Sequence, residues 1–241
     1  MKKIIFALLA LLAMCLPASD TIWEVKNPEE SVWFSAFENR ARVIEEKFGV
    51  KFDAKWKPKV EFARPESFPP TVETPLAGRY IFATQSFLVS PRWKSDVRIA
   101  LIDHELGHAL ADQVSRRIGN GAWPGEWNGD VDQLEEMMAR NFISEGIAEY
   151  FENIGKRHPK RTKGGYKNLP ESWFDQELWR NIYRRYEGSY WIVQPILKRH
   201  GIHGLVYLMT HPFKYSLGGN VRGPALEYQK KAMEDLKKMT S

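Results

Sequence analysis

The chain has 241 residues, 35 lysines and arginines against 30 acidic residues for a formal charge of +5, 43% hydrophobic residues and one cysteine. So mild a basic excess does not argue for a nucleic-acid partner, and a single cysteine cannot build a disulfide framework. The length suffices for one domain with a substantial core.

Lys2 and Lys3, the apolar run from Ile4 to Met14 and the small residues in Pro17-Ala18-Ser19 form the pattern of a secretory signal peptide over residues 1–19. The apolar part is too short to span a bilayer. Its removal takes Cys15 away and leaves residues 20–241 as a single domain without a thiol. Met14 is too bulky for the position before a lipidated cysteine. The expectation is therefore a protein exported to the periplasm or the medium, with no lipid anchor at Cys15 and no transmembrane segment after processing.

Pro28 to Phe48 reads as an amphipathic helix, because Val32, Trp33, Phe37, Ala41 and Ile44 recur three and four apart. Residues 51–63 alternate in part at Phe52, Ala54 and Trp56 but carry Pro58, the pattern of an edge or irregular strand. After a Pro-rich connection, Pro65 to Pro75, two short strands are expected at Tyr80-Ile81-Phe82 and Phe87-Leu88-Val89. A helix follows from Ser95 to Ile118, stopped at Gly119-Asn120-Gly121. Val97, Ile99, Leu101, Ile102, Leu106, Leu110 and Val114 make it apolar on nearly every side, as in a helix buried through the middle of a domain. The loop 119–131 carries Trp123, Pro124 and Trp127, which either line a cleft or cover the core. In the next helix Asp132 and Glu135 resemble a capping box, and Leu134, Met137, Met138, Phe142, Ile147, Phe151 and Ile154 keep helical spacing up to a stop at Gly155. Lys156 to Tyr166 is a basic, Gly-rich loop, and three further helices fit Phe174–Arg199, Ile202–Met209 and Ala225–Met239.

The most specific pattern is His104-Glu105-Leu106-Gly107-His108. On a helix both histidines leave the same face one turn apart, so both imidazoles can reach one metal ion while Glu105 handles a water beside it. Zinc suits such ligands, since it accepts imidazole nitrogen and carboxylate oxygen and leaves one position open. A third ligand is sought in Ser144-Glu145-Gly146-Ile147-Ala148-Glu149-Tyr150, where two glutamates four apart sit close to the apolar face of a helix. Burial there is costly unless each carboxylate is paired or bound to a metal. Glu145 is the expected third ligand, and Glu149 the acceptor that fixes one histidine's tautomer.

His-Glu-Leu-Gly-His-Ala-Leu-Ala-Asp at 104–112 is similar to the active-site helix of thermolysin-like metallopeptidases, and Glu-Gly-Ile-Ala-Glu-Tyr at 145–150 resembles the glutamate helix of the wider gluzincin group. The two motifs span residues 104–150, with a looser likeness over about 80–201. The resemblance implies one zinc ion per chain bound by His104, His108 and Glu145, Glu105 as general base, and Glu149 in support of a zinc-binding histidine. It also implies a zincin-like α+β fold: a small N-terminal sheet over the active-site helix, and a helical C-terminal lobe. In that fold an edge strand pairs with extended substrate, and Phe87-Leu88-Val89 is the candidate strand.

Hydrolysis also needs a hydrogen-bond donor for the developing oxyanion. Tyr186, in Tyr186-Glu187-Gly188-Ser189-Tyr190, resembles the tyrosine found downstream of the zinc motif in several gluzincins. The glycine sits one residue out of place, which leaves Tyr190 as the alternative, with His200, His203 and His211 as weaker candidates. No Gly-x-Met-Glu-Asn run is present, the signature by which related aminopeptidases hold a substrate amino terminus. The expectation is an endopeptidase acting on peptide or protein. The competing readings are a catalytically silent, zincin-shaped protein that binds peptide or cell-envelope material, and a zinc hydrolase of a non-peptide amide.

Overall fold

Proline is tolerated at the first position of a helix, where its missing amide hydrogen has no intrahelical acceptor. Pro28 opens α1 (Pro28–Phe48) in this way. Trp33, Phe34, Phe37, Ala41 and Ile44 of α1 are buried, whereas Val32, expected on the same face, is exposed. The computed structural model describes residues 28–56, 59–62, 78–89, 99–125, 133–154, 182–211, 213–214 and 222–240, without the side chains at 28–31, 134, 182–187, 222 and 240. The expected signal peptide, the Pro-rich connection, Asp132, Gly155, the basic loop 156–166 and the helix start at Phe174 lie outside the described residues.

Three short strands follow α1: β1 (Val60–Phe62), β2 (Gly78–Ile81) and β3 (Ser86–Val89). Their order is β1-β3-β2, with β1 parallel and β2 antiparallel to β3. In the register Tyr80 stands opposite Phe87, and Val60 also pairs with Phe87. Phe87 is fully buried, stacked 4.3 Å from Phe37 of α1 and tilted against Tyr80 at 5.4 Å. The sheet is thus glued to α1 through one central aromatic. β3 is the middle strand, so Phe87-Leu88-Val89 is not the free edge strand that the resemblance implied; β2 is an edge among the described residues.

Four more helices complete a mostly helical α+β architecture: α2 (Ile99–Arg117), α3 (Leu134–Glu152), α4 (Ile182–Thr210) and α5 (Arg222–Thr240). α2 ends in a Schellman motif: Gly119 adopts φ +78°, its amide donates to Arg116 O at 3.0 Å, and the Asn120 amide donates to Ser115 O at 2.9 Å. α3 starts behind Gln133, which makes no side-chain cap of its own, and ends at Asn153. α4 merges the two helices expected over Phe174–Arg199 and Ile202–Met209, broken by a kink at Gly201 (φ 51°, ψ −126°). One apolar cluster draws residues from every one of these helices and strands. Trp123 is part of it, so the loop after α2 covers the core with that side chain. No helix among the described residues is long and apolar enough to cross a membrane.

α2 lies in the middle of this arrangement, between the sheet and α1 on one side and α3 on the other. Small residues let α2 and α3 touch. A Cβ added at Gly107 would meet Ala148 Cα at 2.8 Å and the Phe151 ring at 3.1 Å. Gly146 approaches α4 in the same manner, 2.6 Å from Ser189 O for the same construction.

Candidate metal centre

A helix buried on all sides has few reasons to carry acids and histidines, because desolvated charge is costly unless it is paired. α2 nevertheless buries Asp103, Glu105, His108 and Asp112, and His104 keeps only 12% of its side chain exposed. Their partners come from three directions. Asp103 is held by Arg40 of α1 through two bonds of 2.6 and 2.8 Å, which fixes the turn that presents His104.

His104 and His108 stand one turn apart with ring centroids 5.0 Å from each other. The Gly107–Ala148 contact brings Glu145 of α3 opposite both rings. His104 Nε2 lies 3.4 Å and His108 Nε2 3.7 Å from the same oxygen, Glu145 Oε2. One ligand atom from each of the three residues falls within 4.8 Å of the others. Tetrahedral zinc with bonds near 2 Å sets its donors about 3.3 Å apart. Two imidazole nitrogens and one carboxylate oxygen at these separations can hold a metal ion, and they match the donor types of a three-ligand site with an open position. The three residues singled out by spacing are therefore brought together.

The distal ring nitrogens are occupied as well. His108 Nδ1 lies 2.9 Å from Ser144 Oγ, which is itself buried beside Glu145. His104 Nδ1 faces two carboxylates, Glu149 Oε1 at 3.8 Å and Glu152 Oε2 at 3.7 Å. Both are charge contacts, longer than a hydrogen bond. Burial pushes the His104 pKa down, but the Glu145 and Glu152 carboxylates together with the charge of Glu105 outweigh it, and the group is held well above the usual histidine range.

Glu105 points to the sheet side. Its Oε2 accepts a 2.6 Å hydrogen bond from the backbone amide of Tyr80 on β2. The amide is directed away from β3, whose Phe87 amide donates to Lys59 O at 2.7 Å on the other side. The Tyr80 hydroxyl reaches further along α2 and donates to Asp112 Oδ2 at 3.1 Å. Burial and the Asp112 carboxylate push this hydroxyl's pKa upward, so it remains a donor. Asp112, fully buried, also accepts from the Trp123 amide at 2.9 Å and from Arg116 Nε at 3.0 Å.

The other expected residues are placed as follows. Tyr186 falls within α4, which begins at Ile182, so the chain is already helical before Glu187-Gly188; its side chain lies outside the described residues. Tyr190 is buried and makes an edge contact with Trp191 at 5.5 Å, a core environment. His211 stacks on Tyr207 at 4.0 Å. His200 is held below the usual histidine range by burial and by the neighbouring Arg199 and His203.

Sequence reasoning missed Ser144, Glu152 and Tyr80. Glu152 had a signal, since steps of four and three from Glu145 through Glu149 keep one helical face. Ser144 had only its place next to Glu145, and Tyr80 acts through a backbone amide that no side-chain pattern announces. Compared with known proteins, the chain matches no family model, no curated protein and no solved structure.

Proposed function

We propose that this chain is an exported, zinc-dependent metallopeptidase with a zincin-like fold of the gluzincin kind, an endopeptidase acting on extended peptide or protein segments. The observation that carries the reading is the convergence of His104 Nε2, His108 Nε2 and Glu145 Oε2, contributed by two helices, with Glu105 on the same helix turn and outside the ligand set. His104, His108 and Glu145 would hold the ion. When bound, zinc supplies Lewis-acid polarisation of a carbonyl and makes a water nucleophilic at neutral pH.

The protein's own groups do the rest. The Tyr80 amide holds one oxygen of Glu105, which fixes the plane of the carboxylate. Glu105 takes the proton of the attacking water and passes it to the leaving amine. Ser144 accepts at His108 Nδ1, and Glu149 faces His104 Nδ1, so each ring keeps its Nε2 lone pair for the ion. Main-chain groups of the β2 edge other than the Tyr80 amide, which Glu105 already holds, would pair with an extended substrate. The oxyanion donor is taken as Tyr186, with the buried Tyr190 as the alternative.

The test is metal analysis of the purified mature chain combined with digestion of a peptide library, comparing wild type with Glu105→Gln. The variant should retain zinc and lose about a hundredfold or more in turnover. Cleavage by the variant at the wild-type rate overturns the role of Glu105. A zinc-loaded wild type that leaves every library peptide intact overturns the peptidase reading.

A further inference from the structure

The face of α3 toward His104 carries one carboxylate more than the metal reading needs. Glu145, Glu149 and Glu152 follow one another by four and three residues, which keeps all three on one helical face. Their side chains are 14%, 13% and 11% exposed, so none of them is an ordinary solvated glutamate. Glu145 faces the Nε2 atoms of both histidines. Glu149 and Glu152 approach the opposite nitrogen of His104 from two neighbouring helical positions, at 3.8 and 3.7 Å.

A histidine that gives its Nε2 lone pair to a metal must carry its remaining proton on Nδ1. That single N–H can be aimed at one acceptor at a time, and here two carboxylates stand at nearly equal distance. From this geometry we infer that Glu152 is a second positioning residue for His104, sharing with Glu149 the task of holding the ring in its Nδ1–H form. The inference rests on the metallopeptidase reading, because it presumes an ion at His104 Nε2.

The physical consequence is redundancy. When one carboxylate is replaced by its amide, a small rotation of the ring or of the remaining glutamate restores an anionic acceptor, so the loss is partial. When both are replaced, the N–H faces only neutral groups, the ring becomes less basic and its orientation loosens. Loss of an orienting partner typically lowers metal affinity by about tenfold to a hundredfold. That range belongs to the double replacement, and each single one falls well short of it.

The experiment uses the full mature chain and zinc itself. Zinc dissociation constants are measured by chelator competition for wild type, Glu149→Gln, Glu152→Gln and the double variant. In parallel, the His104 ring proton and nitrogen resonances of the zinc-loaded forms report the tautomer and the strength of the Nδ1–H contact. Glutamine keeps the size of the side chain, and the resonances identify any variant that has lost its fold. The expected result is less than about tenfold weakening for each single variant, a larger than multiplicative loss for the double, and a shifted Nδ1–H resonance in Glu152→Gln. Zinc affinity and resonance unchanged in Glu152→Gln, with Glu149→Gln as damaging as the double, overturn the inference and leave the metal reading intact. A folded wild type that takes up no zinc overturns both.

Discussion

The backbone amide of Tyr80 donates to Glu105 Oε2 at 2.6 Å, while the hydroxyl of the same residue donates to Asp112 one helical stretch further on. One residue of the edge strand thus grips α2 at two points and sets the distance between the strand and Glu105. Tyr80→Phe removes the second grip only. Denaturant unfolding should show a loss of about 1–3 kcal/mol, because a buried carboxylate gives up one of its donors. Zinc content should not change, and turnover should fall. Unaltered stability would mean that Arg116 and the Trp123 amide satisfy Asp112 without Tyr80.

The ligand set predicts a stoichiometry. Purified mature protein should carry about one zinc per chain, as expected of three protein donors that leave one position open. His108→Ala and Glu145→Ala should each come through dialysis with little or none. Full zinc in Glu145→Ala would remove that carboxylate from the coordination sphere.

The raised pKa of His104 in the metal-free chain predicts two opposite pH dependences. A histidine whose folded pKa exceeds its unfolded value adds stability that is complete below about pH 6.5 and is lost as pH rises through the folded value. The metal-free chain should therefore lose part of its thermal stability above neutral pH. Zinc must expel the same proton, so its apparent affinity should rise with pH by up to about tenfold per unit over that window. Melting curves of the metal-free chain and zinc titrations in matched buffers would show both; an affinity that stays flat between pH 6 and 8 contradicts a protonated His104.

Oxyanion stabilisation acts in the transition state, so it appears in kcat more than in KM. Tyr186→Phe should lower kcat on the order of a hundredfold with KM nearly constant, and Tyr190→Phe should leave kcat in place while costing some stability. The reverse pattern transfers the role to Tyr190. Full activity in both variants directs the search to His200, His203 and His211.

Gly107→Ala sets helix propensity against packing. Alanine favours the helix by about 1 kcal/mol, but its Cβ would sit 2.8 Å from the Ala148 backbone, which has to move. Overpacking should win, with a net loss of about 1–3 kcal/mol and weaker zinc binding as the helices part. A raised unfolding midpoint would show slack between α2 and α3.

Much of the helical content was legible because helices write their buried face into local spacing. The bounds of α1 are those its periodicity suggested, and the four-residue steps His104 to His108 and Glu145 to Glu149 placed each side chain on its proper face. What escaped depends on contacts distant in sequence. β3, the edge strand by resemblance, is the middle one because β1, far upstream, pairs with it in parallel. The donor to Glu105 is a main-chain group of β2, and side-chain patterns carry no trace of it. The kink at Gly201 was anticipated as a gap between two helices, since glycine alone does not say whether a helix stops or bends.

Under the zinc proposal, the contact between Gly107 and Ala148 has a meaning for the life of the protein once the ion has left. Where the spacing of three donors is imposed by two backbones pressed together in an apolar core, the scaffold stands before any cation arrives. Such a site works like a socket rather than a rivet. Chelation in a metal-poor environment would then switch the molecule off without sending it to be degraded, and the same copy could resume work on the next encounter with zinc.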